Sequence, residues 1–413
     1  MISVSEASAR ILAGAAPLPA EAVDINSAIG RVLAEAIVAA TTMPPWDNSS
    51  MDGYALLRAD LERVPVRVPV VATIPAGGFA PRALKRGEAM RIMTGAPLPD
   101  GADTVIRFED TDNGTDQVEI RNVRDAGRNI RLAGEDFRKG DELFPAGTPL
   151  TVAHAGVLSS AGIKRVTVHR RPRVAIISSG DELVELEDFT PDLAGTRIVS
   201  SNSVTLPALT RAAGGEPVYL GIARDNPESL RELLTRGAGS DLLITSAGIS
   251  GGDLDHVRSV FADLGGELDF WKVRMRPGAP LAFGRLRGVP WLGLSGNPVS
   301  AMITFELFAR PLIRRMCGHT MIFPHTIEAR MEERIEIAAP LTHFLRAVVR
   351  RGSDGRFTAR LAGSQSSAVL TAMARANALI VIPAEQTVTE EGATVRAIPL
   401  GDALHHSDTL DLK

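Results

Sequence analysis

Carboxylates set beside glycine-rich turns are the residues of this chain with the clearest chemistry to offer. Ile176-Ile-Ser-Ser-Gly-Asp-Glu places Glu182 just after a glycine turn, and Gly221-Ile-Ala-Arg-Asp-Asn-Pro places Asp225 behind a second apolar run. Ile244-Thr-Ser-Ala-Gly-Ile-Ser-Gly-Gly-Asp-Leu-Asp adds a pliable loop of free amides followed by Asp253 and Asp255. Leu292-Gly-Leu-Ser-Gly-Asn-Pro opens a helix with Pro298 at its first position, where unpaired N–H groups and the helix dipole suit an anion. Acidic oxygens that can hold Mg²⁺, next to amides that can hold a phosphate, are the parts of a metal-assisted phosphate site. Lys272, Arg274 and Arg276 alternate, so on a strand one face would carry positive charge toward an oxyanion.

Each feature also has a plainer explanation. An Asp beside Gly or Asn-Pro is commonly an N-cap or turn residue, and alternating Lys and Arg commonly face solvent. Gly251-Gly252 belongs to neither GxGxxG nor GxxxxGK[ST]. His154 and His169 lack metal-ligand spacing and read as satisfied or surface histidines, while Met43, Met51, Met90 and Met93 read as core. Residue pattern alone stops at an α/β domain with an anion site.

Such a site needs elements to position it, and the chain is long enough to supply several. Its 413 residues exceed one core, so two to four domains are expected. With 45% hydrophobic and 23% charged residues it has a globular composition, and a net charge of −4 argues against a general nucleic-acid binder. Cys317 is the single cysteine, which excludes a disulfide framework and a thiolate metal cluster and fits a reducing compartment. The N-terminus lacks the basic and apolar regions of a signal peptide, and no apolar run approaches a membrane span, so a cytoplasmic protein without membrane partners is expected.

The expected fold is α/β multidomain. Residues 1–43 and 150–171 form an N-terminal helical/extended domain, with a first helix capped by Ser5. Residues 44–149 read as a small β-rich domain of short runs such as Val66-Arg-Val-Pro-Val-Val-Ala. Residues 172–319 alternate strands (Val174–Ile177, Pro217–Leu220, Asp241–Thr245, Glu267–Trp271, Pro290–Leu294) with helices (Val204–Ala213, Pro227–Thr235, Leu254–Leu264, Val299–Arg315), which implies a central doubly wound parallel α/β domain. Residues 320–413 read as a C-terminal β domain with a loose tail from Leu404.

Longer strings then carry a resemblance. Pro44-Pro-Trp-Asp-Asn-Ser-Ser-Met-Asp-Gly-Tyr-Ala resembles the signature of molybdopterin molybdenumtransferases, the family of bacterial MoeA and the gephyrin E domain. Arg91-Ile-Met-Thr-Gly-Ala-Pro-Leu-Pro, Gly127-Arg-Asn-Ile-Arg, Phe144-Pro-Ala-Gly-Thr, Ser179-Gly-Asp-Glu-Leu, Gly221-Ile-Ala-Arg-Asp-Asn-Pro, Phe270-Trp-Lys-Val and Gly296-Asn-Pro-Val-Ser-Ala continue the match in order over nearly the whole chain.

The resemblance implies a four-part homodimer whose cleft lies between the α/β domain of one subunit and the small β domain of the other. The implied substrates are molybdate and adenylated molybdopterin, with Mg²⁺-dependent release of AMP. The sulfur ligands then belong to the pterin, so a protein with one cysteine suffices. By matching position, Asp52 and Thr94 would face the cleft from the partner subunit, and Glu182, Asp225 and Asp255 would be the acidic, Mg²⁺-related groups. Lys272 and Arg276 would bind anionic groups, Ser250 and Pro298 would shape the pocket, and Arg346 and Ser367 align with family cleft residues. Molybdopterin adenylyltransferase and apo-molybdoenzymes are the implied protein partners.

Three strings depart from the family. Ala247-Gly-Ile-Ser replaces Gly-Gly-Val-Ser, Arg276-Pro-Gly-Ala-Pro replaces Lys-Pro-Gly-Lys-Pro, and Ser295-Gly-Asn-Pro replaces Pro-Gly-Asn-Pro. They leave a divergent paralogue for another oxyanion such as tungstate, and a non-catalytic scaffold of the gephyrin type, as alternatives to a molybdenum insertase.

Overall fold

The computed structural model describes residues 1–247, 254–338, 340–402 and 404, with the side chains of 254–256 and 258 outside the description. Its chain divides into two compact units, one of residues 1–21, 30–32 and 168–413 and the other of residues 22–29 and 33–167.

The first unit contains the α/β domain. Its strands are β1 Arg173–Ser179, β2 Glu216–Ala223, β3 Leu242–Ser246, β4 Gly266–Trp271, β5 Ala282–Leu286 and β6 Val289–Leu294, in the order β2-β1-β3-β6-β5-β4. β2, β1, β3 and β6 run parallel. Alternate residues of the central strands enter two cores. Val174, Ile176, Leu242 and Ile244 pack with helix α1 (Asn202–Ala212) and the helical segment from Pro298, while Ala175, Ile177 and Leu243 pack with α2 (Pro227–Gly237) and α3 (Leu254–Asp263). Strands buried on both faces are continuous apolar runs, which is why periodicity of two is absent from their sequence. The expected doubly wound domain is therefore present, with one addition: β5 pairs antiparallel with both β6 and β4, so the sheet is mixed at that edge.

The chain leaves β1 toward α1 on one face and leaves β3 toward α3 on the other. Neighbouring strands whose connections diverge open a crevice at their carboxyl ends, the ligand position of such sheets. Gly180-Asp-Glu follows β1 at this crevice, and Ala247 follows β3.

Beyond residue 321 the expected C-terminal β domain is a closed barrel. Ile327–Met331, Thr342–Arg351, Phe357–Leu361, Ala378–Ile382 and Thr394–Pro399 form a ring, closed by pairing of Thr342–Arg351 with Ala378–Ile382. Leu345, Ala347 and Val349 fill its interior, while Phe344 on the opposite face joins the α/β core. The two-residue strand Met275–Arg276 adds to the barrel in parallel, opposite Thr342 and His343.

The second unit holds a five-stranded half-barrel in the order Thr104–Arg107, Gly53–Leu56, Ala89–Ile92, Val66–Ile74, Gln117–Ile120. Its strands bury Tyr54, Leu56 and Ile106 in one cluster and Ala55, Met90 and Val105 in another.

Three sequence expectations change in detail. Residues 1–43 are helical only at Val4–Leu12 and Ile25–Ala28, because Gly14, Pro17, Pro19 and Gly30 interrupt the alanine-rich run. Ser3, rather than Ser5, caps the first helix, accepting from the N–H of Glu6 at 3.1 Å. The helix expected over 299–315 is two α segments, Pro298–Thr304 and Arg310–Met316, around a π turn at Phe305–Ala309. Pro311 has no N–H for the regular ladder there, which favours that widening. Among the described residues, no helix is long and apolar enough to cross a membrane.

Candidate active site

At the end of β1 the backbone is pinned before any acidic side chain is placed. Gly180 N–H donates to the Ala223 carbonyl at 3.1 Å, so the ends of β1 and β2 are stapled together. The Glu182 carboxylate folds back over Gly180, where an added Cβ would lie 2.6 Å from Glu182 Oε2. Glycine at 180 thus makes room for the acid two residues later. Asp225 and Asp181 face each other across the staple: Asp181 N–H donates to Asp225 Oδ2 at 3.3 Å and Asp225 N–H donates to Asp181 Oδ1 at 3.2 Å. Ser179 Oγ donates to Asp225 Oδ1 at 3.4 Å. Glu182 and Asp225 are exposed, so their outer oxygens remain available to a ligand. Asp181, which the sequence reading passed over, is the third carboxylate of this corner.

Among the described residues, no group of three or more His, Cys, Asp or Glu is placed to hold a metal by itself. Mg²⁺ commonly takes one or two carboxylates and completes its shell with phosphate oxygens and water, so an exposed acidic pair fits an ion that arrives with a phosphate. Ser250 and the Asp255 side chain lie outside the described residues, and so do Gly251, Gly252 and Asp253.

The loop after β6 is held from α1, where Asn202 Nδ2 donates to the Gly296 carbonyl at 2.9 Å. Gly296 abuts Ala247, whose N–H donates to the Leu294 carbonyl. Ala247 has φ +77, a left-handed conformation that suits the glycine usual at this position and strains an alanine.

Below this loop, a cavity of about 780 Å³ opens between the α/β domain and the barrel. Arg276, Ala279, Ser295, Asn297 and Ser300 line one side, and His343, Arg346, Gln365 and Ser367 the other. Arg346 is fully buried. Its Nη2 donates to the Ser364 and Ser366 carbonyls at 2.9 and 3.1 Å, while Nε and Nη1 have no hydrogen-bond partner among the described residues. Burial draws its pKa below the usual guanidinium value, and no carboxylate among the described residues offsets this. Gln365 clamps the residue through its backbone, accepting from Arg346 N–H at 2.9 Å and donating to the Arg346 carbonyl at 3.1 Å. A buried cation with idle donors beside a cavity is a strained arrangement that an anion would relieve.

The structure thus brings Arg276, Arg346 and Ser367 together. Pro298 starts its helix without lining the cavity, although Asn297 and Ser300 on either side do. The expected cationic strand is corrected. Trp271 ends β4, Lys272 turns with φ +79, and Arg276 belongs to the barrel sheet. Lys272, Arg274 and Arg276 are nevertheless all exposed while Val273 and Met275 are buried, so the charges do alternate outward. His343 and Gln365 carried no recognisable motif, and only the register of the barrel reveals them.

In the second unit, Asp52 Oδ1 accepts from Thr94 N–H at 2.7 Å and from Thr94 Oγ at 2.8 Å. These bonds, the backbone one first, hold its pKa below the ordinary carboxylate value and keep it anionic and oriented. The two histidines behave as the plain reading expects: His154 completes a capping box with Thr151, and His169 Nδ1 lies 2.8 Å from the Leu18 carbonyl.

Three family models match the chain: "MoeA N-terminal region (domain I and II)" over residues 2–162, "Probable molybdopterin binding domain" over 175–315, and "MoeA C-terminal region (domain IV)" over 328–400. A molybdopterin molybdenumtransferase of a Nostoc species is 37% identical, covering 92% of this chain and 88% of its own length. One from Staphylococcus aureus is 33% identical, covering 96% and 95%. The crystal structure of a molybdopterin biosynthesis MoeA protein from Pyrococcus horikoshii superposes with a TM-score of 0.80 at 29% identity, covering 97% of this chain and 99% of that one. Agreement of this extent, through every domain and in one order, makes this chain an enzyme of the molybdopterin molybdenumtransferase family.

Proposed function

We propose that this protein inserts molybdenum from molybdate into adenylated molybdopterin, releasing AMP and giving molybdenum cofactor. The observation that carries the reading is Arg346, a fully buried guanidinium with Nε and Nη1 idle at the wall of a cavity that Arg276 also lines. Fixed, unneutralised donors suit a tetra-oxo anion better than any neutral ligand. In this reading Arg276, Arg346 and Ser367 hold molybdate, while the dithiolene sulfurs of the pterin supply the soft ligands that the product metal prefers.

Glu182 and Asp225, with Asp255, would hold Mg²⁺ at the carboxyl ends of β1 and β2. Bound there, Mg²⁺ would offset phosphate charge on the adenylate. The chain's own residues orient the substrate: Ser179 and the Asp181 N–H fix Asp225, Ser250 and Pro298 would shape the pocket, and the free amides of the helix that Pro298 opens would suit phosphate oxygens. Lys272 meets the substrate's anionic groups from the exposed turn after β4. Asp52, held by Thr94, is assigned to the cleft of a partner subunit in a homodimer, and the four-part division at residues 43, 149, 171 and 319 belongs to the same proposal. The protein is placed in the cytoplasm, with molybdopterin adenylyltransferase as supplier and apo-molybdoenzymes as recipients.

A tungstate-handling paralogue is the second reading, favoured by one observation: Ala279 lines the cavity where the family usually has lysine. The test is AMP release from adenylated molybdopterin with and without Mg²⁺, molybdate or tungstate, together with cofactor formation. Release and cofactor formation that depend on molybdate support insertion, and dependence on tungstate alone supports the second reading. Substrate that stays intact under all conditions contradicts both.

A further inference from the structure

Two polar atoms at the carboxyl end of the α/β sheet are buried and make no hydrogen bond among the described residues: Asn202 Oδ1 and Ser246 Oγ. Their residues are 6% and 1% exposed. Buried polar groups are nearly always paired, so two idle ones in one corner call for a partner. That they share a corner follows from contacts on both sides. Asn202 opens α1, and its Nδ2 donates to the Gly296 carbonyl, while Gly296 abuts Ala247, the residue after Ser246. On the other side, Ser246 stands opposite Ser178 in the parallel pairing of β3 with β1. Ser178 Oγ accepts in turn from Ser200 Oγ at 3.1 Å, two residues before Asn202. Ser178 and Ser246 follow Ile176 and Ile244 at a spacing of two, so both point to the face that α1 covers.

The chemistry of the idle pair selects its ligand. Gly296 offers Asn202 only a carbonyl, so the amide turns its NH₂ there and leaves its oxygen free. An amide oxygen only accepts, and it repels the oxygens of phosphate or molybdate. The ligand atom beside it must be a donor. A serine hydroxyl both gives and accepts. Such a pair, among side chains that carry no charge, matches the amino-bearing edge of a fused pyrimidine, where N–H donors sit next to a ring acceptor.

We propose that Asn202 and Ser246 read the amino-bearing edge of a fused-pyrimidine ring, the pterin or the adenine of the substrate. The inference rests on the proposed reading of this domain as the seat of adenylated molybdopterin, whose two heterocycles share that chemistry. Ser179, next to Ser178, donates to Asp225 Oδ1, so the ring edge lies beside the acidic corner assigned to Mg²⁺ and the phosphates. Both idle atoms are shielded from solvent, so binding includes an opening of this corner.

The experiment is equilibrium dialysis of the full chain with biopterin and, separately, with AMP, for wild type, Ser246→Ala and Ser178→Ala. Lumazine and IMP, which carry oxo in place of amino, are the control ligands, and each melting point is measured without ligand. Wild type is expected to bind at least one amino-bearing ring more tightly than its oxo counterpart. Ser246→Ala is expected to melt higher, because an unpaired buried hydroxyl is gone, yet to bind that ring roughly two- to tenfold more weakly. Ser178→Ala, which leaves the Ser200 hydroxyl without its acceptor, is expected to melt lower with unchanged affinity. Weakening confined to biopterin places the pterin in the corner, and weakening confined to AMP places the adenine there. Unchanged affinity for both ligands in Ser246→Ala overturns the proposal, as does a wild type that binds neither or does not distinguish amino from oxo. Molybdate-dependent AMP release that persists beside such a result leaves the proposed function intact. Its absence in a wild type that binds the ring as expected shows instead that the functional reading has failed.

Discussion

Replacing Arg346 by methionine should make the protein more stable and less able to bind an anion. Arg346 is fully buried, and only Nη2 is satisfied, by the Ser364 and Ser366 carbonyls. Arg346→Met deprives those two carbonyls of a donor, a loss of about 0.5–1.5 kcal/mol each. Against this, Nε and Nη1 are buried donors without partners. Leaving such a group unpaired costs about 1–3 kcal/mol, and the unneutralised charge costs several more. Methionine is unbranched and fills a similar channel. The net expectation is stabilisation by about 1–3 kcal/mol, seen as a melting point raised by roughly 2–6 °C. Molybdate at about a hundredfold excess over its Kd should stabilise wild type by a further ~2.7 kcal/mol and the variant by nothing. Differential scanning calorimetry with and without molybdate reads both effects. A lower melting point in Arg346→Met, with the molybdate shift retained, would refute the reasoning and leave Arg346 as a strut for the 364–366 loop.

Other expectations follow from the same geometry. Ala247→Gly should stabilise by about 0.5–1 kcal/mol, since relief of a left-handed alanine outweighs the extra freedom of an unfolded glycine. Gly296→Ala sets a Cβ 2.9 Å from Ala247 Cβ and should cost about 1–3 kcal/mol alone, but clearly less in the Ala247→Gly background; additive melting shifts in the double variant would deny the contact. Ala279→Lys adds a cation to the cavity wall and should lower the half-saturating molybdate concentration for AMP release roughly tenfold, with no change if the arginines already suffice. Asp52→Ala and Asp225→Ala should each abolish AMP release, yet regain part of it when mixed under subunit exchange, because one cleft of each heterodimer is then whole; silent heterodimers would reject the shared cleft.

The α/β domain was legible because its strands are continuous apolar runs bounded by turn residues. Asn226 and Pro227, for instance, mark a helix start that the structure keeps, with Asn226 Oδ1 accepting from Ser229 N–H. Glu182 and Asp225 were legible for the same reason, since strand-end carboxylates follow from strand ends. β5 was missed because Ala282–Leu286 is a short run whose pairing partners, β4 and β6, are set by tertiary packing. The N-terminal region misled because alanine content signals helix, while Gly14, Pro17 and Pro19 decide the backbone. The cavity could not be read from residue pattern, and only the family resemblance pointed to Arg276, Arg346 and Ser367. Arg276 and Arg346 lie 70 positions apart in sequence, and a parallel register between a two-residue strand and a barrel strand brings their segments together. Long-range register of that kind leaves no local pattern.

The central claim is that molybdate is held in the cavity of Arg276, Arg346 and Ser367. Crystals soaked in tungstate, a heavier analogue of the same shape and charge, test it most directly through anomalous scattering. The account predicts a single strong peak within hydrogen-bonding reach of the Arg346 guanidinium and the Ser367 hydroxyl. A peak at the Gly296–Pro298 helix start or beside Asp225, with the cavity empty, would contradict it.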